Sequence, residues 1–500
     1  MSLKSLAAKL FAFYVSKRIK KWSDNPIETQ QNVLKHLIDS ASFTQFGKDH
    51  NFSTIKSYDD FKKNVPVRDY EQLRPYVDKV VKGEPDVLWP GKPLYFAKTS
   101  GTTSGSKYIP LTKESLPTHI HAARNAILCY IAETGNAAFV DGKMIFLQGS
   151  PEMTYTNGIG LGRLSGIVAH YVPAYLQKNR LPSWKTNCIV DWENKVDAIV
   201  DETIHEDMRV ISGIPPWVQM YFERLIDRSQ KPIGELFKNF ELFIYGGVNF
   251  EPYQAIFLKL IGKKIPSIEL YPASEGFFAF QDSQKEPGML LQLNSGIFYE
   301  FIKAEDFFEE DAERISLNSV VVGQNYVMLI STTAGLWAYN IGDTIQFTST
   351  SPYRVVVSGR IKHFISAFGE HVIGKEVENA LKLATSGKHI LINEFTVAPQ
   401  VNPTGTTLPY HEWFIEFGQP MEDTKELSAR IDMKLREQNT YYDDLITGKI
   451  LQPLKITVVR KGGFQEYMKS IGKLGGQNKL PRLSNDRKIA DQLTSFTVTS

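Results

Sequence analysis

The chain has 500 residues, 42% hydrophobic and 12% aromatic, and its 57 basic and 55 acidic side chains leave a formal net charge of +2. That length exceeds what one hydrophobic core usually supports, so a large domain plus a smaller one is expected, while the balanced charge excludes a global field that would recruit nucleic acid or a membrane. Cys129 and Cys188 are the only cysteines, too few for a disulfide framework or a cysteine-based zinc site, which fits a reducing, cytoplasmic setting.

The first segment, "MSLKSLAAKLFAFYVSKRIKKW", sets Leu3, Leu6, Ala7, Leu10, Phe11 and Tyr14 at helical spacing among lysines. It lacks the unbroken apolar run and small-residue cleavage site of a signal peptide, and no run in the chain approaches the roughly 18 apolar residues of a membrane span. Two readings stand: a helix docked on the body, or a helix lying on a membrane surface. A second helix is predicted over 26–42, with Asp24 and Asn25 as possible caps and Val33, Leu34, Leu37 and Ile38 at helical spacing. "PLYFAKT" and "KYIPLT" read as extended segments flanking a hydroxyl-rich turn, followed by a helix from about 113 to 134. His119 and His121 lie two apart on that helix, cannot share a face, and so are not expected to bind a metal.

Strand-like and helical segments then alternate through "KMIFLQGS", "PPWVQMYFERLIDR", "FELFIYGG", "EPYQAIFLKLIG" and "PSIELYPAS", which argues for α/β architecture. From about residue 290 strands dominate. Beyond "SGRIKHF" a helix, two strands, a helix, a strand and a basic Gly-rich tail make a compact α+β unit of about 140 residues, with the boundary near 359–362.

Five stretches carry candidate chemistry. "KTSGTTSGSKYIP" crowds Thr99, Ser100, Gly101, Thr102, Thr103, Ser104 and Gly105 ahead of Lys107. Its spacing is not that of a Walker loop and no helix follows at once, so phosphate affinity would have to come from glycine-exposed N–H groups, hydroxyls and the lysine; the plain alternative is a solvated Ser/Gly loop. "YGGVNF" closes a strand with Gly246, Gly247 and Val248, permitting a flat ring against the backbone or simply a strand-to-helix turn. "LYPASEGFF" puts Tyr271, Ala273, Ser274 and Glu275 at the carboxyl end of a strand, where open α/β sheets bind ligands. There Tyr271 would stack on a base and Glu275 would hold a magnesium ion. "WAYNIGDTIQF" offers Asp343 as an acceptor for ribose hydroxyls or as an ordinary turn residue, and "GGQNKLPR" offers Lys479 as a reactive cation or a solvated one.

Taken in order, "TSGTTSGSKYIP", "YGGVNF", "YPASEG", "STTAGLWAYNIGD", "SGR" and "GGQNKLPR" resemble the adenylate-forming superfamily of acyl-CoA ligases and luciferases. Within it the chain is most similar to the auxin-responsive Gretchen Hagen family of acyl acid amido synthetases, over nearly its whole length. The resemblance implies a large N-terminal domain over 1–358 that binds ATP and the acyl substrate, a hinge over 359–362 with Lys362 at the pivot, and a small mobile α+β domain over 363–500 carrying a catalytic Lys479. It implies ATP and Mg2+ as cofactors, and a small carboxylic acid and an amino acid as partners, with no nucleic acid and no stable membrane insertion. Residues 99–105 and Lys107 would wrap the phosphates, Gly246, Gly247, Val248, Tyr271, Ala273, Ser274, Asp343 and Arg360 would hold the nucleotide, and Glu275 would serve catalysis through the metal. The acyl group would lie among 157–171 and 212–220, with Ser165 and Trp217 as liners, although a large aromatic on a helix is more often core. This chain departs from the family in Asn340, where many members have arginine or a second aromatic, and in Pro272, where a small residue is common. Two other functions share the motifs: acyl transfer to coenzyme A or a protein thiol after the same adenylation, and a non-catalytic nucleotide-binding scaffold.

Overall fold

The computed structural model describes residues 2–99, 107–172, 177–247, 250–309, 311–361, 364–365, 372–401, 403, 408–421, 423–448, 450–474 and 479–498. Two compact units emerge: one built from 1–248 and 262–356, the other from 249–261 and 357–500. The second therefore takes in Asn249–Ile261, which the sequence reading leaves with the N-terminal part.

In the first unit a twelve-stranded mixed sheet carries the α/β pattern. Arg180–Leu181, Lys143–Phe146, Met208–Ser212, Leu242–Gly246 and Ser267–Ala273 lie side by side in that order and parallel. The sheet then continues through Gly276–Phe280, Met289–Leu291, Tyr353–Arg360, Tyr339–Thr350, Asn325–Thr332, Ile297–Lys303 and Ile315–Ser316, where antiparallel pairing dominates. Short turn-linked strands after residue 290 account for that change, since hairpins need no crossover helix. A separate four-stranded sheet runs Lys107–Leu111, Tyr95–Thr99, Ile159–Gly162, Thr154–Thr156.

The helix Pro26–Ala41 starts on its proline and buries Leu34, Leu37 and Ile38, as its periodicity predicts. It is pinned by Gln30, whose side-chain amide donates to the carbonyls of Leu293 (2.8 Å) and Ile297 (2.9 Å) while its oxygen accepts from Tyr299 N. Asn25 makes no side-chain cap, and Asp24 instead ends the preceding helix.

That preceding helix, Leu3–Ser23, corrects the sequence reading. It docks on the body, but through Ser5, Ala12, Val15, Ile19 and Ser23, which are buried, while Leu3, Leu6, Leu10, Phe11 and Tyr14 are exposed. Its partner is the helix Leu116–Thr134, whose Ala122 and Ala126 share a core with Ala12 and Val15. Small side chains let the two helices approach closely, and the bulky face is left outside.

The second unit is a three-stranded sheet, Ile392–Gln400, Tyr410–Phe417, Lys455–Val459, backed by the helices Gly374–Thr385 and Lys425–Arg436 around Phe395, Val397, Trp413, Ile431 and Leu435. The tail is more structured than its composition suggests. Helices Gly463–Ser470 and Lys488–Leu493 bring Phe464, Tyr467 and Leu493 onto Phe414 and Val459 as a second small core.

Candidate functional site

The hydroxyl-rich stretch joins two strands of a hairpin. Tyr95–Thr99 and Lys107–Leu111 are antiparallel, with Thr99 opposite Lys107, while Ser100, Gly101, Thr102, Thr103, Ser104 and Gly105 lie outside the described residues. The neighbouring helix Tyr70–Val81 steadies the base of this hairpin. A reciprocal cap between Asp69 and Gln72 fixes the helix start, so that the Tyr70 hydroxyl accepts from Tyr108 N at 2.8 Å and the Lys107 ammonium stands 5.5 Å from the Tyr70 ring centre.

Gly246 and Ala273 end adjacent parallel strands, paired as far as Gly246 with Leu270, so both motifs arrive at one carboxyl edge. A Cβ on Gly246 would sit 2.5 Å from the Leu270 carbonyl oxygen, and Gly247 follows with φ +76°, a backbone conformation that side-chain-bearing residues rarely adopt. Val248 lies outside the described residues. Pro272 falls two residues beyond the end of that parallel ladder, where a missing N–H costs it nothing. Ser274 and Glu275 form the two-residue turn into Gly276–Phe280, Ser274 buried and Glu275 half-buried.

The bond that ties these ends to the rest of the sheet is Tyr271 to Asp343. The buried Tyr271 donates its hydroxyl to Asp343 Oδ2 at 2.7 Å across 72 residues of sequence. Asp343 is presented by an irregularity in the pairing of Asn325–Thr332 with Tyr339–Thr350: Val327 faces Thr344 and Leu329 faces Asn340, so Ile341, Gly342 and Asp343 share one facing residue. Asn340 shapes this bulge, its side-chain oxygen accepting from Gly342 N at 2.8 Å and its own N–H donating to the Arg68 carbonyl at 2.8 Å. Asn340 thus braces the turn.

Other parts of the same motif are core. Trp337 and Tyr339 are fully buried, and the Trp337 indole donates to the Leu88 carbonyl at 3.1 Å. Trp217 is 6% exposed and packs on Trp192 with ring centres 4.5 Å apart, which accounts for it as a core side chain. Ser165 lies on Leu164–Ala169, next after the strand Ile159–Gly162 that pairs parallel with Tyr95–Thr99, so its segment and the hydroxyl-rich hairpin belong to one sheet. His119 is buried, and desolvation pushes its imidazole down to about 4, whereas His121 is exposed. Among the described residues no group of three His, Cys, Asp or Glu side chains could hold a metal.

In the second unit Lys479 is exposed on irregular chain just before an anchored segment. Pro481–Ser484 lies along Ile392–Gln400: the Thr396 hydroxyl donates to the Pro481 carbonyl (2.7 Å), Val397 N to the Arg482 carbonyl (2.9 Å) and Ser484 N to the Val397 carbonyl (2.9 Å). Arg482, its side chain 14% exposed, pairs with Glu378 at 3.3 Å and with Glu394, and donates to the Tyr253 hydroxyl at 3.2 Å. Burial works against this cation, yet Glu394, Tyr253 and Glu378 outweigh it and raise its pKa. Tyr253 comes from the inserted segment 249–261 and also donates to Glu394 at 3.0 Å. Sequence reasoning missed this cluster; its one local signal was an arginine directly after proline in an otherwise basic tail. Arg360 is exposed at the end of Tyr353–Arg360, in the same unit, and Lys362 lies outside the described residues.

The GH3 family N-terminal domain matches 15–187, the central domain 290–360 and the C-terminal domain 375–488, together well over half of the chain and in the family's order. The chain belongs to the GH3 family. Among its relatives, indole-3-acetic acid-amido synthetase GH3.4 of Arabidopsis thaliana is 21% identical over 97% of this chain and 94% of its own length. The solved AtGH3.15 acyl acid amido synthetase in complex with 2,4-DB superposes on this GH3 chain with a TM-score of 0.79 at 17% identity, covering 98% of this chain and 96% of that one. A 2-hydroxyisobutyryl-CoA ligase in the postadenylation state, bound to 2-HIB-AMP, gives a TM-score of 0.59 at 13% identity over 94% and 93% of the two chains. The fold is that of adenylate-forming enzymes, as the motif order implied.

Proposed function

We propose that this GH3 chain is an ATP-dependent acyl acid amido synthetase. Two half-reactions make up the activity. A substrate carboxylate oxygen attacks the α-phosphorus of ATP, the bond to the β-phosphate oxygen breaks, and pyrophosphate leaves. The nitrogen of an amino acid then attacks the acyl carbonyl, the mixed anhydride breaks, AMP departs with the bonding electrons, and the amine loses a proton.

The observation that carries the reading is the 2.7 Å bond from Tyr271 to Asp343, which joins two motifs that lie 72 residues apart in sequence and on strands that are not neighbours in the sheet. Asp343 would accept from ribose hydroxyls, and Tyr271 is held by its bond to Asp343 and by the Phe278 ring at 5.0 Å. Lys107 and the 99–105 turn would neutralise the β- and γ-phosphates, while Gly246 and Gly247 leave room for the adenine against the backbone. The first step brings two anions together, so it needs preorganised positive charge that strengthens as charge builds on the transferring phosphorus. Lys479 would supply it, and Arg482 fixes the segment three residues after it. Magnesium, when bound at Glu275, offsets phosphate charge. Arg360 would reach the nucleotide and Lys362 would serve as pivot.

The relatives' names specify different acids, so the acid accepted by this chain is an open choice within carboxylates. The test is pyrophosphate release from ATP and Mg2+ with a panel of carboxylic acids, followed by mass spectrometry of products formed with amino acids or with coenzyme A. Pyrophosphate release with an acid, and an acyl amide as product, are expected. Pyrophosphate release that yields only acyl-CoA would overturn the choice of acceptor, and none with any acid would favour a scaffold.

A further inference from the structure

The helix Leu3–Ser23 buries only its narrow, small-residue side. On the opposite side Leu3, Leu6, Leu10, Phe13 and Tyr14 recur at three- and four-residue steps and form a single stripe, with Leu3 87%, Leu10 67% and Phe13 60% exposed. Large apolar side chains in such a row are unusual on a free surface and mark a surface that something covers. The charge around them is of one sign. Between residues 3 and 23 the chain carries Lys4, Lys9, Lys17, Arg18, Lys20 and Lys21 and no acidic residue. Lys17 and Lys21 continue the stripe itself toward the helix end, and Lys17 and Arg18 lie over the rings of Phe13 (4.2 Å) and Tyr14 (5.8 Å). Near its ends Asp24 pairs with Lys20 at 3.0 Å and Asp141 accepts from the Ser2 hydroxyl at 2.6 Å.

We infer that this helix docks the protein on an anionic phospholipid bilayer, lying in the interface with the Leu3–Tyr14 stripe among the acyl chains and the basic residues at headgroup level. The chemistry selects that occupant. An apolar stripe rimmed by long cationic side chains matches a surface whose interior is hydrocarbon and whose outer layer is negative, and lysine stems bury while their ammonium groups reach the phosphates. A second copy of the helix would set six positive charges against six with no acid to relieve them. An acidic peptide would satisfy the charge and leave the stripe unexplained. The helix does not cross the bilayer, since no helix among the described residues is long and apolar enough to do so. The side facing the body is already occupied by Ala122 and Ala126, so docking needs no rearrangement of the fold.

The experiment is co-sedimentation of the full chain with vesicles of phosphatidylcholine alone and of phosphatidylcholine mixed with phosphatidylserine, at low and high salt. The native chain is expected to pellet with the mixed vesicles, less so at high salt, and only weakly with phosphatidylcholine. A Leu10→Ser/Phe13→Ser variant and a Lys17→Glu/Lys21→Glu variant should each bind about tenfold more weakly while melting at the native temperature, because all four side chains are exposed. A native chain that stays in solution with both vesicle types overturns the inference, as does undiminished binding of either variant. Light scattering provides the remaining arm: a dimer that Leu10→Ser/Phe13→Ser disperses, without vesicle binding by the native chain, would assign the stripe to a second copy.

Discussion

The strand-end rim of the first unit and the lysine-bearing segment of the second reach order by different physics. At the rim, Gly246, Tyr271 and the Ser274–Glu275 turn sit on neighbouring strands, so backbone register places them, and the Tyr271–Asp343 bond reaches a strand further along the sheet. Lys479 lies on irregular chain. Its place is set from a short distance away, by the Pro481–Ser484 strip and by a buried guanidinium held between two carboxylates and a phenol. Register is robust to the loss of one side chain, whereas an ionic anchor is not, because removing one charge strands the others. The two regions should therefore fail in different ways when mutated.

The largest effect is expected at Lys479 itself. Lys479→Ala should slow pyrophosphate release about 10²–10³-fold, with ATP affinity altered by less than about twofold, since the cation acts on charge that develops in the transition state. Equal loss of ATP affinity would break the division between the two regions.

Next comes the anchor. Arg482→Met leaves Glu378 and Glu394 facing each other without their cation and should destabilise the protein by about 3 kcal/mol in equilibrium unfolding, with a drop in adenylation that exceeds any change in ATP affinity. Arg482→Lys should recover part of both, as it restores charge without the two-sided geometry of the guanidinium. If adenylation fell while stability held, Arg482 would have to touch substrate and the proposed anchoring role would be wrong.

The smallest effect is expected at the rim. Asp343→Ala should weaken ATP binding about tenfold and Tyr271→Phe about threefold, with unfolding midpoints nearly unchanged. Their combination should cost less than the sum, because both delete the same hydrogen bond; strict additivity would show that the bond contributes nothing to nucleotide binding.

Much of the rim was legible in the sequence because its signals are local. A glycine pair closing an apolar run and a strand ending in Tyr-Pro-Ala-Ser-Glu each constrain backbone within a few residues, and the parallel strands gather these two ends on one edge, while the Gly-Asp turn comes from an antiparallel strand further along the sheet. Trp337 and Tyr339 show the limit of motif reading, since two of the most distinctive side chains of "TTAGLWAYNIGD" serve the core, while Asp343 accepts from Tyr271. The Arg482 anchor was not legible, because its partners come from residues 253, 378 and 394, and no local pattern marks an arginine in a basic tail as buried. Asn340 was visible only as a departure from a family pattern; its hydrogen bond to Gly342 N gave it a role.

By itself the sequence determined the α/β character of the first part, which follows from periodicity and from backbone needs within a few residues, and its motif order carried the resemblance to the family. Only the tertiary structure decided which side of the Leu3–Ser23 helix meets the body, that Asn249–Ile261 joins the second unit, and that Arg482 is an anchor. Periodicity says that a face is apolar but not what covers it, and a buried charge is defined by neighbours that the chain supplies from far away.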